Sequence, residues 1–251
     1  MATITLVFLG FVVAFSIFLS PSQSSTFTIV NNCPHMIWPG TLAGAGTLQL
    51  PTTGFQMNSG QSARIVAPLG WSGRIWARTG CRFDESGAGT CQTGDCGGKM
   101  ECHGMGAAPP ATLFEITLGM GNDDDYYDVS LVDGYNLPIM AMPRGVNGGC
   151  NATGCMADLN SGCPKELQVI EGGPGSAGVV ACKSACEAFG SDEYCCSGEY
   201  ANPSSCGPSY YSNIFNRACP RAYSCAFDDA TSTFTCKAFD YTITFCSTIS
   251  R

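Results

Sequence analysis

Leu113-Phe114-Glu115-Ile116-Thr117-Leu118 and Tyr126-Tyr127-Asp128-Val129-Ser130-Leu131-Val132 decide the fold class. In the first stretch Phe114, Ile116 and Leu118 fall on one face of a period-two strand, with Glu115 and Thr117 on the other. In the second, Tyr127, Val129 and Leu131 oppose Asp128 and Ser130. The same alternation recurs in Thr26-Phe27-Thr28-Ile29-Val30, Arg64-Ile65-Val66, Arg74-Ile75-Trp76-Ala77-Arg78 and the run from Tyr241 to Phe245. Each is bounded by Gly, Pro, Asn or Asp, and many short strands with frequent turns predict an antiparallel sandwich or barrel. Gly (31) and Pro (14) are abundant and only 13% of residues are charged, which excludes a coiled coil. With 45% hydrophobic residues, disorder is excluded too. The length of 251 residues suits one large β domain. A net charge of −8 repels phosphates, so no nucleic-acid partner is expected.

Ile4 to Leu19 is a nearly unbroken apolar run followed by Ser20, Pro21, Ser22, Gln23, Ser24 and Ser25. It is short for a bilayer span and reads as a secretory signal peptide over residues 1–24, although its start lacks Lys and Arg. No stable membrane insertion is expected of the mature chain, residues 25–251. All 17 cysteines follow the leader, a density that persists in oxidising compartments. No Cys-x-x-Cys spacing occurs and only His35 and His103 offer imidazole, so disulfides are expected rather than zinc. Seventeen is odd, which leaves at least one thiol without an intrachain partner. Two Cys-rich stretches, about 81–110 and 150–210, read as stapled loops attached to the sheets. Within the second, Val179 to Phe189 reads as one helix carrying Cys182 and Cys186 on the same face. Asn151-Ala152-Thr153 is a glycosylation sequon. Asp123-Asp124-Asp125 lacks the EF-hand pattern and reads as a solvated turn, and both histidines read as surface or loop residues. No metal or cofactor is expected.

The run Gly87-Ala88-Gly89-Thr90-Cys91-Gln92-Thr93-Gly94-Asp95-Cys96-Gly97-Gly98-Lys99-Met100-Glu101-Cys102 resembles the signature of the thaumatin-like proteins, plant pathogenesis-related group 5. Similar agreement runs through Phe27 to Pro34, Gly73 to Cys81, Asp128 to Pro138, Glu193 to Cys196 and Cys219 to Ser224. The chain is most similar to the larger fruit proteins of that group, several of them allergens. The resemblance implies a mainly β fold: an antiparallel β-sandwich core with two disulfide-rich loop regions, one short helix, and an acidic cleft between core and larger loop region. It implies bridges Cys33–Cys246, Cys81–Cys91, Cys96–Cys102, Cys150–Cys236, Cys155–Cys219, Cys163–Cys182, Cys186–Cys195 and Cys196–Cys206. The remainder is Cys225, where the family usually has tyrosine: either a buried small hydrophobe or an exposed thiol able to join two chains.

The resemblance also implies cleft residues Arg74, Glu115, Asp128, Asp133 and Asp228, with Asp229 an alternative for the last. Alternation independently turns Glu115 and Asp128 away from the apolar face, and sets Arg74 on one face with Trp76 and Arg78. Asp133 has apolar parity but sits where the strand breaks at Asp133-Gly134, so its direction stays open. Two functions compete for such a cluster. One is lectin-like binding of β-1,3-glucan or another fungal-wall polysaccharide. The other is weak endo-β-1,3-glucanase activity, which needs two carboxyl groups about 5–5.5 Å apart for retention or roughly 6.5–9.5 Å for inversion. In that case Glu115 is the expected acid and Asp128 or Asp133 the nucleophile or base. Protease or amylase inhibition and membrane permeabilisation are the alternatives, but no inhibitory loop and no basic amphipathic helix stand out. A monomer acting in antifungal plant defence is the overall expectation from the resemblance; vacuolar relatives often carry an extension after the last cysteine, and here only Ser247 to Arg251 follow Cys246, so secretion to the apoplast is expected.

Overall fold

The computed structural model describes residues 24–145, 149–172 and 177–247; the leader reading rests on residues 1–23, outside the described residues. In chain order the strands begin with β1 (Thr26–Asn31), β2 (Trp38–Ala43), β3 (Ser62–Val66), β4 (Ser72–Arg78), β5 (Arg82–Phe83), β6 (Gly89–Thr90) and β7 (Leu113–Thr117). They continue with β8 (Asp125–Ser130), β9 (Ile139–Gly145), β10 (Thr153–Cys155), β11 (Gln168–Glu171), β12 (Gly178–Cys182), β13 (Phe234–Cys236) and β14 (Ala238–Phe245). Four short helices, α1 (Ala185–Phe189), α2 (Asp192–Cys195), α3 (Tyr210–Ala218) and α4 (Asp229–Ser232), lie among the described residues. Two five-stranded sheets, ordered β10-β9-β14-β1-β3 and β13-β8-β7-β4-β2, make a mainly β core. Each keeps open edges, so the sandwich rather than the barrel is realised.

Among the described strands, pairing is antiparallel except between β1 and β14, which run parallel with Thr28 opposite Thr242. The exception has a topological cause. These strands come from opposite ends of the domain, so no hairpin dictates their sense, and the long intervening chain easily makes the crossover that a parallel pair needs. The Cys33–Cys246 bridge joins the ends of the two strands. Between the sheets, the inward residues of the alternating strands interlock as Phe27, Trp71, Phe114, Tyr127 and Tyr241. Ring centroids such as Phe27–Trp71 and Tyr127–Tyr241, both 5.3 Å apart, meet edge to face, the arrangement that ring quadrupoles favour.

One expected surface feature is inside. Asp125 is fully buried, not part of a solvated turn. Its carboxylate accepts from the backbone N–H of Gly119 (2.8 Å) and Ala238 (3.1 Å) and from the Tyr241 hydroxyl (2.8 Å), with Lys237 Nζ 3.5 Å away. The core needs a polar terminus for Tyr241, and Asp125 supplies it.

The sheets carry two cross-linked lobes. Cys81–Cys91 and Cys96–Cys102 staple the first around the β5–β6 ribbon. Cys155–Cys219, Cys163–Cys182, Cys186–Cys195 and Cys196–Cys206 staple the second, and Cys150–Cys236 ties its start to β13. Cys225 is in no bridge and is half-buried. The single helix expected over Val179 to Phe189 is two elements. β-branched Val179 pairs with Ile170 of β11, Val180 sits at a register shift, Ala181 pairs with Val169, and Cys182 exchanges both backbone hydrogen bonds with Tyr135, so the strand runs to Cys182. Ser184 then caps α1 by accepting from Glu187 N, and Gly190 ends it in the left-handed region at φ 64°. Cys182 and Cys186 therefore go to different partners. The longest helix, α3, was not expected from the sequence. Its cap is Ser209, which accepts from Ser212 N, and it seats Phe215 in the core.

Candidate functional site

β4, β7 and β8 lie side by side, and their register sets Arg74 opposite Glu115 and Glu115 opposite Asp128. Three charged residues therefore form one row across the outer face of the sheet. Arg74 Nε is 2.9 Å from Glu115 Oε1, with side chains 48% and 31% exposed. The outer face closes a short distance away on the same strand. Trp76 and Arg78 share parity with Arg74, yet both are fully buried beneath the first lobe. There Arg78 donates to the carbonyls of Trp38 (3.0 Å), Lys99 (2.7 Å) and Met100 (2.7 Å), and Trp76 packs with Cys96, Cys102 and Leu113. The lobe thus covers one half of the sheet and leaves the Arg74–Glu115–Asp128 row as the floor of an open trough.

Asp133 follows β8 in the turn that Gly134 completes at φ 85°, where an added Cβ would meet the Cys182 carbonyl at 2.8 Å and Pro110 at 2.6 Å. The direction left open by alternation is toward the trough: Asp133 joins Arg74, Glu115, Asp128, Ser130 and Tyr223 around a central section of about 340 Å³. On one side the trough continues over Ser72, Thr117 and Tyr126, and on the other it passes Asp133 to the second lobe, toward Glu187, Tyr194 and Cys225.

Asp228 and Asp229, the two alternatives of the sequence, have different partners beside Tyr223. Asp228 Oδ2 accepts from Ser224 N (3.2 Å) and Ser224 Oγ (2.8 Å), which turns it into its own loop. Asp229 Oδ1 accepts from the Tyr223 hydroxyl (2.5 Å), which also pairs with Thr233, and the Asp229 charge bears on Asp128. Asp229 thus bears on Asp128 through the Tyr223 wall, while Asp228 bears on Cys225. Tyr223 itself was not singled out from the sequence. Its hydroxyl is pushed up to about 12 by burial and by Asp229, so it stays a donor at any ordinary pH.

Burial pushes the Asp128 carboxyl up to about 8, helped by the Glu115 charge and opposed by Arg74. Asp128 Oδ1 is buried with no hydrogen-bond partner. Glu115 is also raised by burial, but its direct partner Arg74 works against that. Both carboxyls are raised by burial, and Arg74 opposes this more directly at Glu115 than at Asp128. The cause is register: Arg74 is next to Glu115 and one strand further from Asp128. A trough with one protonated carboxyl, one ion-paired carboxylate and a tyrosine donor can both donate to and accept from hydroxyl-rich ligands, and can move a proton.

Among the described residues no three His, Cys, Asp or Glu side chains are grouped as metal ligands. No described helix is long and apolar enough to cross a membrane. His35 and His103 are exposed. Asn151 is exposed and its carbonyl accepts from the Tyr127 hydroxyl (2.6 Å).

The Thaumatin family model matches residues 31–247. Thaumatin-like protein 1 of Arabidopsis thaliana is 54% identical over 253 residues, covering 98% of this chain and 95% of that protein. A Prunus avium protein named glucan endo-1,3-beta-glucosidase is 49% identical over 227 residues, covering 90% and 91%. Among solved structures, a laminaripentaose-producing β-1,3-glucanase in complex with laminaritetraose superposes with a TM-score of 0.58 at 14% identity over 88% of this chain and 98% of that one, a likeness of fold alone. Sandwich, stapled lobes and sequence together assign the chain to the thaumatin family.

Proposed function

We propose that this is a secreted plant defence protein that binds β-1,3-glucan of fungal walls in the trough between the sandwich and the second lobe. The observation that carries the reading is the Arg74–Glu115–Asp128 row, aligned by strand register on the open floor of that trough. Glucan is neutral, so net charge does not oppose its approach. Its hydroxyls donate to carboxylates and its oxygens accept from a guanidinium, and hydrogen bonds to charged groups are the stronger kind. The similarity to a cherry protein named for glucan cleavage supports the substrate class. Eight disulfides support passage through an oxidising compartment.

Weak hydrolysis is the second reading, and the raised Asp128 beside Glu115 favours it. Asp128 is then the proton donor to the leaving oxygen, and Glu115, kept ionised by Arg74, the nucleophile or base. One experiment separates the two. Wild type, Glu115→Gln and Asp128→Asn are incubated with insoluble β-1,3-glucan while retention and new reducing ends are measured together. Retention weakened about tenfold by Glu115→Gln, without reducing ends, identifies a binder. Reducing ends that vanish in Asp128→Asn, and in wild type above pH about 8, identify an enzyme. Retention equal in all three proteins would sink the glucan reading.

A further inference from the structure

The trough does not end at Asp133. Its section against the second lobe, about 320 Å³, shares Val132, Asp133 and Ala226 with the central section, so the two are continuous. Its character differs. The central section is floored by charged side chains, whereas here the wall is made of Tyr194, Tyr211 and the buried Phe215. The tyrosines belong to an aromatic cluster: Phe189–Tyr211 centroids are 5.2 Å apart, Phe189–Tyr194 5.4 Å and Tyr194–Tyr211 6.0 Å. Tyr211 is further fixed by its hydroxyl, which donates to Glu166 Oε1 at 2.9 Å. Beside this wall stands Glu187 in the first turn of α1, held there by the Ser184 cap. Glu187 Oε1 is 3.9 Å from Lys183 Nζ, but Oε2 is buried with no hydrogen-bond partner. A buried acceptor without a donor calls for a ligand group that brings one.

We infer that this section is a second sugar-binding subsite, in which Tyr194 and Tyr211 receive the C–H face of a glucose ring while Glu187 accepts from one of its hydroxyls. The inference rests on the glucan reading of the central row and extends it: one polymer chain crosses the charged floor and runs on to the aromatic wall. A β-linked glucose unit presents this combination, with axial C–H groups on the ring faces and hydroxyls around the edge. Sites for such ligands are built from apolar and aromatic walls with a few placed polar groups. Affinity then grows with chain length, because a short oligomer fills only the central section.

The test is the affinity of the whole protein for soluble β-1,3-glucose oligomers, laminaritriose and laminarihexaose, in wild type, Tyr194→Leu and Tyr211→Leu. In wild type the hexamer binds about tenfold more tightly than the trimer. In either tyrosine variant that advantage shrinks to about two- to threefold, while trimer affinity stays within about twofold and certifies the fold. Having two variants guards against one that fails to fold. If both fold and keep the full advantage of the hexamer, the aromatic subsite is overturned and the central row is untouched. If wild type binds neither the oligomers nor insoluble glucan, the glucan reading falls and this subsite with it.

Discussion

Asp125 and Asp128 stand on the same strand, β8, three positions apart and on opposite faces. Asp125, turned into the sandwich, is surrounded by donors: two backbone N–H groups, the Tyr241 hydroxyl and the Lys237 ammonium. Asp128, turned to the trough, has a buried oxygen with no partner and a carboxyl pushed up to about 8. One carboxylate is finished by the fold; the other is left incomplete by it. Arg78 and Arg74 repeat the contrast on β4. Arg78 is saturated with carbonyls under the first lobe, whereas Arg74 holds one carboxylate and remains half exposed. The satisfied Asp125 and Arg78 hold the sheets together, and the incomplete Asp128 and Arg74 mark where a ligand is expected.

The largest effect that would break the comparison is at Asp125. Asp125→Ala leaves three donors in the interior without an acceptor and should cost about 3–5 kcal/mol of unfolding free energy, read by chemical denaturation. Arg78→Met comes next, at about 2–4 kcal/mol, with faster hydrogen exchange concentrated in the lobe between Cys96 and Cys102. Arg78 keeps its charge at neutral pH even though burial lowers it to about 10.

Asp128→Asn is expected to raise stability at neutral pH, because the folded aspartate keeps a proton that the unfolded one has released there, a cost the asparagine does not carry. Its signature is in the pH dependence. The ordinary value is 3.8 and the folded value about 8, so between these the unfolded chain has released a proton that the folded chain keeps. Stability contributed by Asp128 therefore falls as pH rises through that window, by at most ~1.4 kcal/mol per unit, and the asparagine variant should lose most of the slope. An unchanged slope would place the retained proton elsewhere. The smallest effect concerns Cys225, whose thiol is raised by burial and by Asp228. Native protein should react with an alkylating reagent about tenfold more slowly than unfolded protein, which should show one thiol per chain.

Strand faces were legible because alternation is written in neighbouring residues: Phe114, Glu115 and Ile116 announce inside, outside, inside. Register was not. Nothing in β4 or β7 taken singly states that Arg74 meets Glu115 and not Thr117, so the sequence could group the charges without ranking their protons. Local chemistry misled at Asp125, where three consecutive aspartates look solvated but the last is drawn inward by Tyr241, distant in sequence. It misled again at Val179 to Phe189, where cysteines spaced four apart suggest a helix face, while β-branched valines and the partner strand β11 impose extended backbone as far as Cys182. Glu187 and the tyrosine wall gave no pattern at all, because they converge only through the folding of the second lobe.

The parallel seam between β1 and β14 also bears on how the molecule is made. Ribosomes release a polypeptide amino end first, yet the strand that fills the middle of the first sheet, between β9 and β1, is the last of the described strands to be synthesised. Until it emerges, β1 waits beside β3 with one edge unpaired, and Cys33 has no Cys246 to join. Closure of the sheet and of the Cys33–Cys246 bridge must therefore wait for β14, and until then an unpaired strand edge and a reduced thiol stay exposed to other chains.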